Sequence, residues 1–405
     1  IGQGSAPDDD EGNGGGRTRS QGELFVDEFS AAIRAQIVKK CGTKEYWDRW
    51  AADIAKIAQN HITRIKALLG DPDARATFDA FLKELHDDLN EAISEADAIE
   101  MLAQHIITRP VFESLFQGNH FTDENPISRA MQGIIARLDE ARIDTEAESL
   151  EEFYASVRRR ADGLTDPAAK QKLIVQLYDD FFKSAFPRTT KRMGVVYTPV
   201  EIVGFILHSV DEALRRNFGV GIGAEGVHVI DPFTGTGTFI TRLLQSGLIA
   251  REDLARKYRE ELHANEIILL AYYIAAINIE TVFADLMGES GTEASYEPFC
   301  GILLTDTFAL HEHRDMLDEL LPDNAERRTR QRNLDIRVIV GNPPYVVGEE
   351  DGNSEDARVD YPRLDGRIRD TYAARTNARN KNGLYNAYIR AIRWASDRLG
   401  EDGGV

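Results

Sequence analysis

From about residue 186 onward the sequence runs as short apolar stretches, each closing in a polar or glycine-rich turn, with helical stretches between them. That alternation is the pattern of a parallel α/β sheet, because neighbouring parallel strands must be joined by a long crossover, usually a helix. The runs predict strands at 227–230, 261–264, 301–305 and 336–340, and helices at 239–244, 267–279 and 385–399. The last helix ends at a glycine turn, Gly403-Gly404, where a further strand would begin. The sheet is therefore expected to be truncated on its C-terminal side.

The preceding half has a different period. Trp47, Trp50, Ile54, Ile57, Ile62, Ile65 and Leu69 recur at three-and-four spacing along one helix face, and Gly70-Asp71-Pro72 stops it. Phe78, Phe81, Leu82, Leu85 and Leu89 repeat the pattern, and Ile93, Ile99, Leu102 and Ile106 begin a third helix ahead of Pro110. Three segments result: a Gly, Asp and Ser-rich linker at 1–22, too polar to order itself, an all-helical domain at 23–185, and the α/β domain at 186–405. No catalytic constellation stands out in the helical segment, whose aromatic positions read as core.

Charge and composition narrow the function classes. A net charge of −20 argues against holding nucleic acid by overall charge, so any DNA contact has to be local. Basic clusters occur at Arg158 to Arg160, at Arg188, Lys191 and Arg192, at Arg327, Arg328, Arg330, Arg332 and Arg337, and between Arg367 and Lys381. Each serves equally well as a solvated charged face. No stretch approaches the roughly 18 to 20 uninterrupted apolar residues of a membrane span, and the chain is expected to work in a reducing, prokaryotic cytoplasm, away from membranes. Cys41 and Cys300, the only two cysteines, lack metal-ligand spacing, and Cys300 reads as a buried thiol. His311 and His313 with Asp315 resemble a metal pair only superficially, so no metal site is expected.

Three strand ends carry polar residues suited to a ligand. After the first strand comes Asp231-Pro232-Phe233-Thr234-Gly235-Thr236-Gly237, whose glycines let backbone approach a ligand at a helix start. The absence of a Gly-Lys-Ser/Thr ending disfavours a triphosphate; a nucleoside, or a plain tight turn, remains open. Glu266 follows the second strand, where nucleotide sites place a ribose-binding acid, and Asp306 follows the third; a helix-start acid and a turn cap are their alternatives. After the fourth strand comes Asn342-Pro343-Pro344-Tyr345. Consecutive prolines fix an extended, acceptor-rich turn, in which an amide side chain and a backbone carbonyl can accept both hydrogens of an exocyclic amine while a tyrosine stacks on a flipped base.

Asp231 to Gly237 followed by Asn342 to Tyr345 resembles the amino-methyltransferases that modify exocyclic amines in DNA, in their gamma arrangement. The resemblance implies a Rossmann-like methyltransferase sheet with S-adenosyl-L-methionine as cofactor. Tyr197-Thr198-Pro199 is similar to the family's opening motif, placed by resemblance beside the methionine part of the cofactor. By the same matching Asp231, Phe233, Gly235, Thr236 and Gly237 line the cofactor turn, Glu266 holds the ribose and Asp306 the adenine. Asn first in the tetrad implies adenine N6 as target.

A wider resemblance, from Glu23 onward, rests on Tyr361-Pro362, Leu364-Asp365, Arg367-Ile368-Arg369, Thr371-Tyr372, Lys381 to Tyr385 and Arg390 to Ala395. These are similar to the coupler and methyltransferase region of Type ISP restriction-modification enzymes. The resemblance implies site-specific adenine methylation of double-stranded DNA with a flipped base. It also implies a translocating ATPase and a nuclease upstream, and a target recognition domain downstream, on the same polypeptide. Two alternatives stand beside it: a nuclease and methylase fusion with the same helical connector and no translocase, and a catalytically silent coupling fragment.

Overall fold

The chain's halves meet around one helix. In the computed structural model the residues described are 44–115, 121–138, 186, 198–288, 296–312, 320–344, 359–399, 401 and 403–405. Residues 49–405 form one compact unit; of the other, 1–48, only the first residues of a helix are described. That helix, α1 (Lys44–Leu68), ends before Gly70 as the sequence predicts. α2 (Pro72–Asp88) starts because the Asp71 side chain accepts from the amides of Asp73 and Ala74, both at 3.0 Å, and Pro72 occupies the first turn. Its buried face is Ala74, Phe78, Phe81 and Leu85, the spacing seen in the sequence.

Ser94 and Asp97 close a reciprocal cap at the head of α3 (Glu95–Leu115), with Ser94 N donating to Asp97 at 2.9 Å and Asp97 N to Ser94 Oγ at 3.2 Å. This helix runs straight through Pro110 to Leu115, further than the sequence suggests. A proline ring deprives the helix of one backbone donor, and the tertiary contacts of Phe112 just beyond it, edge-on to Phe121 and Tyr273, favour continuing the turn. Asn125 caps α4 (Pro126–Leu138) through the amides of Ile127 and Ser128.

α5 (Val200–Phe218) leads into the sheet: β1 (His228–Asp231), α6 (Thr238–Gln245), β2 (Leu262–Glu266), α7 (Leu269–Met287), β3 (Ile302–Leu304), α8 (Pro322–Arg332), β4 (Ile336–Ile339), α9 (Pro362–Ile368) and α10 (Ala387–Arg398). All pairings are parallel, in the order β3-β2-β1-β4. The order reverses between β1 and β4, so a crevice opens there at the carboxyl edge, the place where open α/β sheets take ligands. Val405 adds to the far side of β4: its amide donates to Arg337 O at 3.0 Å and its carbonyl accepts from Ile339 N at 2.9 Å, the two bonds of a parallel bridge. The four predicted strands are each found within about two residues of their expected ends.

α7 has the length and apolarity of a membrane-crossing helix, and it is the only such helix among the described residues. It is instead enclosed on nearly every side. One side packs on α6 and the strands, so closely that a side chain on Gly237 would press on the Ala275 backbone. The other meets the helical layer: Tyr273 OH bonds His105 Nδ1 at 2.9 Å, Tyr272 OH accepts from Asn125 at 3.1 Å, and Phe112 and Phe121 lie edge-on to the Tyr273 ring. Burying such an aromatic contributes about 1.5–3 kcal/mol.

A second, polar junction joins α2 to the sheet. Glu84 accepts the amides of Leu320 and Leu321, Asp88 pairs with Arg328 and accepts from Asn324 at 2.6 Å, and Thr305 Oγ1 donates to Asp88 O at 2.9 Å. Asp88 and Arg328 are both buried. Removing one member of a buried pair strands the other's charge. Asp88→Ala should therefore lower unfolding free energy by about 3–5 kcal/mol in urea titration, whereas Arg75→Ala, at exposed pairs with Asp79 and Glu95, should leave the midpoint unchanged.

Candidate functional site

The crevice is built from strand ends. β1 ends on Asp231, 1% exposed, whose Oδ1 accepts from Phe233 N at 3.2 Å while Oδ2 has no partner among the described residues. Burial, reinforced by the neighbouring Glu266 charge, pushes its carboxyl up to about 7. Gly235 and Gly237 follow with φ of 56° and 84°, a left-handed backbone that side-chain-bearing residues rarely adopt. This conformation turns the Gly235 amide onto Glu266 Oε2 at 2.8 Å. Glu266, at the end of β2, also accepts Ile267 N at 3.0 Å and Ile268 N at 2.8 Å through Oε1. Burial lifts it to about 7 as well, the three amides opposing that rise. Thr236, buried, passes its carbonyl to Asn278 at 2.9 Å.

β4 closes the other wall. Val340 N donates to Ile230 O at 3.0 Å, and Gly341 lies so near β1 that a Cβ there would stand 2.7 Å from Asp231 Oδ1. Only glycine lets the two strand ends approach this closely. The next residue, Asn342, donates from its amide to Thr198 Oγ1 at 3.2 Å, with Pro343 and Pro344 partly exposed beside it. Pro199, exposed, precedes α5 and its carbonyl accepts the amides of Ile202 and Val203. The structure thus gathers Thr198, Asp231, Gly235, Glu266 and Asn342 around the β1/β4 switch point. Tyr197 and Tyr345 lie outside the described residues.

Asp306, 5% exposed, sits past β3 and is held from two directions: Asn90 Nδ2 donates to its Oδ2 at 2.8 Å and Tyr361 OH to the same oxygen at 2.7 Å, while Phe308 N takes Oδ1 at 2.9 Å. Burial raises its carboxyl, against those donors. Phe233, partly buried in the glycine turn, lies 5.4 Å from the Phe308 ring.

Several participants escape sequence reasoning. Asn265, next to the end of the buried strand β2, and Thr307 brace the turn: Asn265 donates to Thr307 Oγ1 at 3.2 Å, and Thr307 donates to Pro232 O at 2.6 Å. The signal available for Asn265 is its place one residue before Glu266, at the end of a run read as a strand. Asn90, from the helical half, carried none. The basic run after residue 326 is largely engaged within the fold: Arg328, buried, is spent on Asp88, and Arg327 and Arg330 reach Cys300 Sγ and O. Cys300 is accordingly half-buried rather than buried. His311 is partly buried and held near 4 by desolvation, whereas His313 and Asp315, like Arg158 to Arg160, Arg188, Lys191 and Arg192, lie outside the described residues.

Comparison with known proteins places this architecture. The class defined by fold and site is a parallel α/β sheet with a polar switch-point crevice, joined to a helical layer. Residues 46–169 match the family model of the Type ISP restriction-modification enzyme, coupler domain. It superposes with a TM-score of 0.83 and 44% identity on a nuclease-deletion mutant of the Type ISP restriction-modification enzyme LlaGI in complex with a DNA substrate mimic, covering 93% of this chain and 31% of that one. The ATP-dependent Type ISP enzyme LlaBIII bound to DNA gives 0.83 and 45%, over 95% of this chain and 26% of that. A DrdV-DNA complex gives 0.78 and 34%, over 89% and 34%. The chain thus spans between about a quarter and a third of the proteins it resembles. No curated protein matches it.

The two turn glycines differ in a measurable way. Gly237→Ala meets both a left-handed backbone and the Ala275 backbone at 3.2 Å, while Gly235→Ala meets open space. The second should cost about 1–2 kcal/mol, the left-handed penalty alone. Gly237→Ala should cost clearly more in the same urea titration.

Proposed function

We propose that this chain carries the cofactor site and catalytic turn of an S-adenosyl-L-methionine-dependent DNA adenine-N6 methyltransferase on a Rossmann-like sheet. In this reading it is one part of a longer restriction-modification polypeptide whose ATPase, nuclease and target recognition domain lie elsewhere. The observation that carries the reading is the apposition of Asn342-Pro343-Pro344 to the β1 glycine turn, with Gly341 against Asp231 and Asn342 bonded to Thr198.

The residues suit the cofactor's chemistry. Asp231 Oδ2 is buried without a partner, Gly235 offers open space, and two carboxyls near 7 become anionic readily beside a cation. Thr198, Asp231 and Glu266 would hold the group, with Phe233, Gly235, Thr236 and Gly237 shaping its cradle; bound there, it supplies an electrophilic methyl on a cationic sulfur. Asp306 would face its adenine only beside the two side chains already bonded to it. The exocyclic nitrogen of adenine is a poor nucleophile because its lone pair is delocalised into the ring. Asn342 donates its amide hydrogen to Thr198, which orients its oxygen as an acceptor, and the Pro343 carbonyl is fixed beside it by Pro344. Together they take both amine hydrogens, localise the lone pair and stabilise charge developing on the nitrogen. Tyr345 would stack on the flipped base.

Catalytic silence of this stretch is the second reading, favoured by one observation: the Asp306 carboxylate is already occupied by Asn90 and Tyr361. Two experiments separate them. Calorimetric titration of S-adenosyl-L-methionine should give affinity that rises from about pH 6 to pH 8, by up to tenfold per unit below 7 for each carboxyl that must ionise. Asp231→Ala/Glu266→Ala should not bind. Without ligand the sign inverts: carboxyls raised in the fold contribute stability below their ordinary range and lose it as pH rises through about 7, so the apo melting temperature should fall as pH rises between 5 and 8. In the full-length enzyme, Asn342→Ala should cut adenine methylation by a factor on the order of 100 or more; unchanged methylation would overturn the assignment.

A further inference from the structure

Acidic residues make up 68 of the 405 positions, yet none occurs between Thr371 and Ser396, the longest such run in the sequence. The stretch carries Arg375, Arg379, Lys381, Arg390 and Arg393 instead. Ion pairing sorts these cations and their neighbours. Arg390 is bound to Asp365, and Arg367 and Arg393 to Asp397, while Arg369 pairs with Asp370. Lys381 Nζ donates to Ala373 O at 2.6 Å. Arg375 and Arg379 are exposed and make no ion pair among the described residues.

Their position follows from the two ends of α10. At its C-terminal end Arg398 donates to Leu334 O at 2.7 Å and Gln331 O at 2.9 Å, just before β4 begins, which is the amino edge of the sheet. Twelve residues of helix rise about 18 Å, and the four of β4 about 13 Å, so the start of α10 stands beyond the carboxyl edge. Near that start, the Arg390 guanidinium lies 4.8 Å over the Tyr361 ring, whose hydroxyl reaches Asp306 past the end of β3. The segment leading into α10 therefore stands on the same edge as Asn342-Pro343-Pro344. It is also ordered by its own side chains: Thr376 Oγ1 accepts from Ala378 N, Asn380 from Asn382 N, and Asn386 caps α10 through Ile389 N at 2.9 Å.

We infer that the segment from Arg375 to Asn386 is a contact surface for the phosphodiester backbone of double-stranded DNA, with Arg375 and Arg379 as its two phosphate-binding side chains. A preorganised loop whose Arg375 and Arg379 make no ion pair among the described residues, on a chain of net charge −20, offers a polyanion a local cationic patch at the edge where a base would be presented. Among the described residues, the arginines after 326 are less suited, because Arg328 pairs with Asp88, Arg330 and Arg337 donate to main-chain carbonyls and Arg327 reaches Cys300 Sγ. The inference rests on the DNA-methylation reading for the identity of the polyanion.

The test is fluorescence anisotropy of a labelled duplex with the whole 405-residue chain, from about 50 to 200 mM salt. Arg375→Ala/Arg379→Ala should weaken binding at least tenfold at the low-salt end and make the slope of log affinity against log salt shallower by about two, one counterion for each lost contact. Arg215→Ala/Arg259→Ala, an equal charge change at the amino edge, should leave both nearly unchanged. Circular dichroism melts coinciding with wild type establish that the loop variant folds, and Arg375→Lys/Arg379→Lys should restore the slope. An unchanged slope, an equal loss in the amino-edge variant, no measurable duplex binding by the wild type, or tighter binding to anionic lipid vesicles than to the duplex would each overturn the inference. Failure here is distinct from failure of the methylation reading: Asn342→Ala tests the latter through methyl transfer, and duplex affinity does not depend on it.

Discussion

Asp88 is 2% exposed, and a carboxylate in that position costs several kcal/mol unless its charge is answered. Arg328 and Asn324, both from α8, answer it, while the Asp88 carbonyl takes the hydroxyl of Thr305 at the end of β3. Asn324 in turn clasps the backbone of Leu304 on both sides, as donor and as acceptor. The last turn of α2 is thereby locked to β3, the edge strand of the sheet, through buried polar bonds and not merely laid on its surface. Two residues further on, Asn90 reaches Asp306, so the helical layer supplies a hydrogen bond to one of the polar strand ends themselves.

An apolar junction of this size could slide; a buried polar one has few alternative registers, since any shift leaves charges and amides unpaired. The aromatic contacts of α7 bury apolar surface between the layers, and the polar network fixes where that burial happens. The carboxyl edge also holds three buried acids. Asp231, Glu266 and Asp306 are all pushed upward by burial, and each is retained by backbone amides or by a neighbour's side chain.

The strands, their order of appearance and the motifs at their ends were legible in the sequence because each is local. A run of β-branched residues followed by glycine or proline states its own conformation, and Gly235, Gly237 and the proline pair advertise turns without reference to anything distant. What was not legible depends on separation. Nothing near Asn90 announces Asp306, 216 positions away, and nothing in the arginine cluster after residue 326 distinguishes Arg328, consumed by Asp88, from a phosphate ligand. Pro110 misleads in the same way, since whether a helix tolerates a proline depends on what the following turn packs against. Gly341 was readable only as part of the strand; its need to lack a side chain arises from Asp231, three strands away in sequence order but adjacent in space.

The sharing of α7 between both halves also sets an order of events during synthesis. The helices carrying His105, Phe112 and Phe121 leave the ribosome more than 150 residues before Tyr273, the ring they close around. Until α7 follows, that layer has an open apolar flank, and α7 emerges with the apolarity of a membrane segment and a sheet not yet complete beneath it. Domains usually fold as units from the N-terminus as they are made. Here the first half must wait for the second to cover that flank, so neither half can be exchanged without a partner that rebuilds the same aromatic contact.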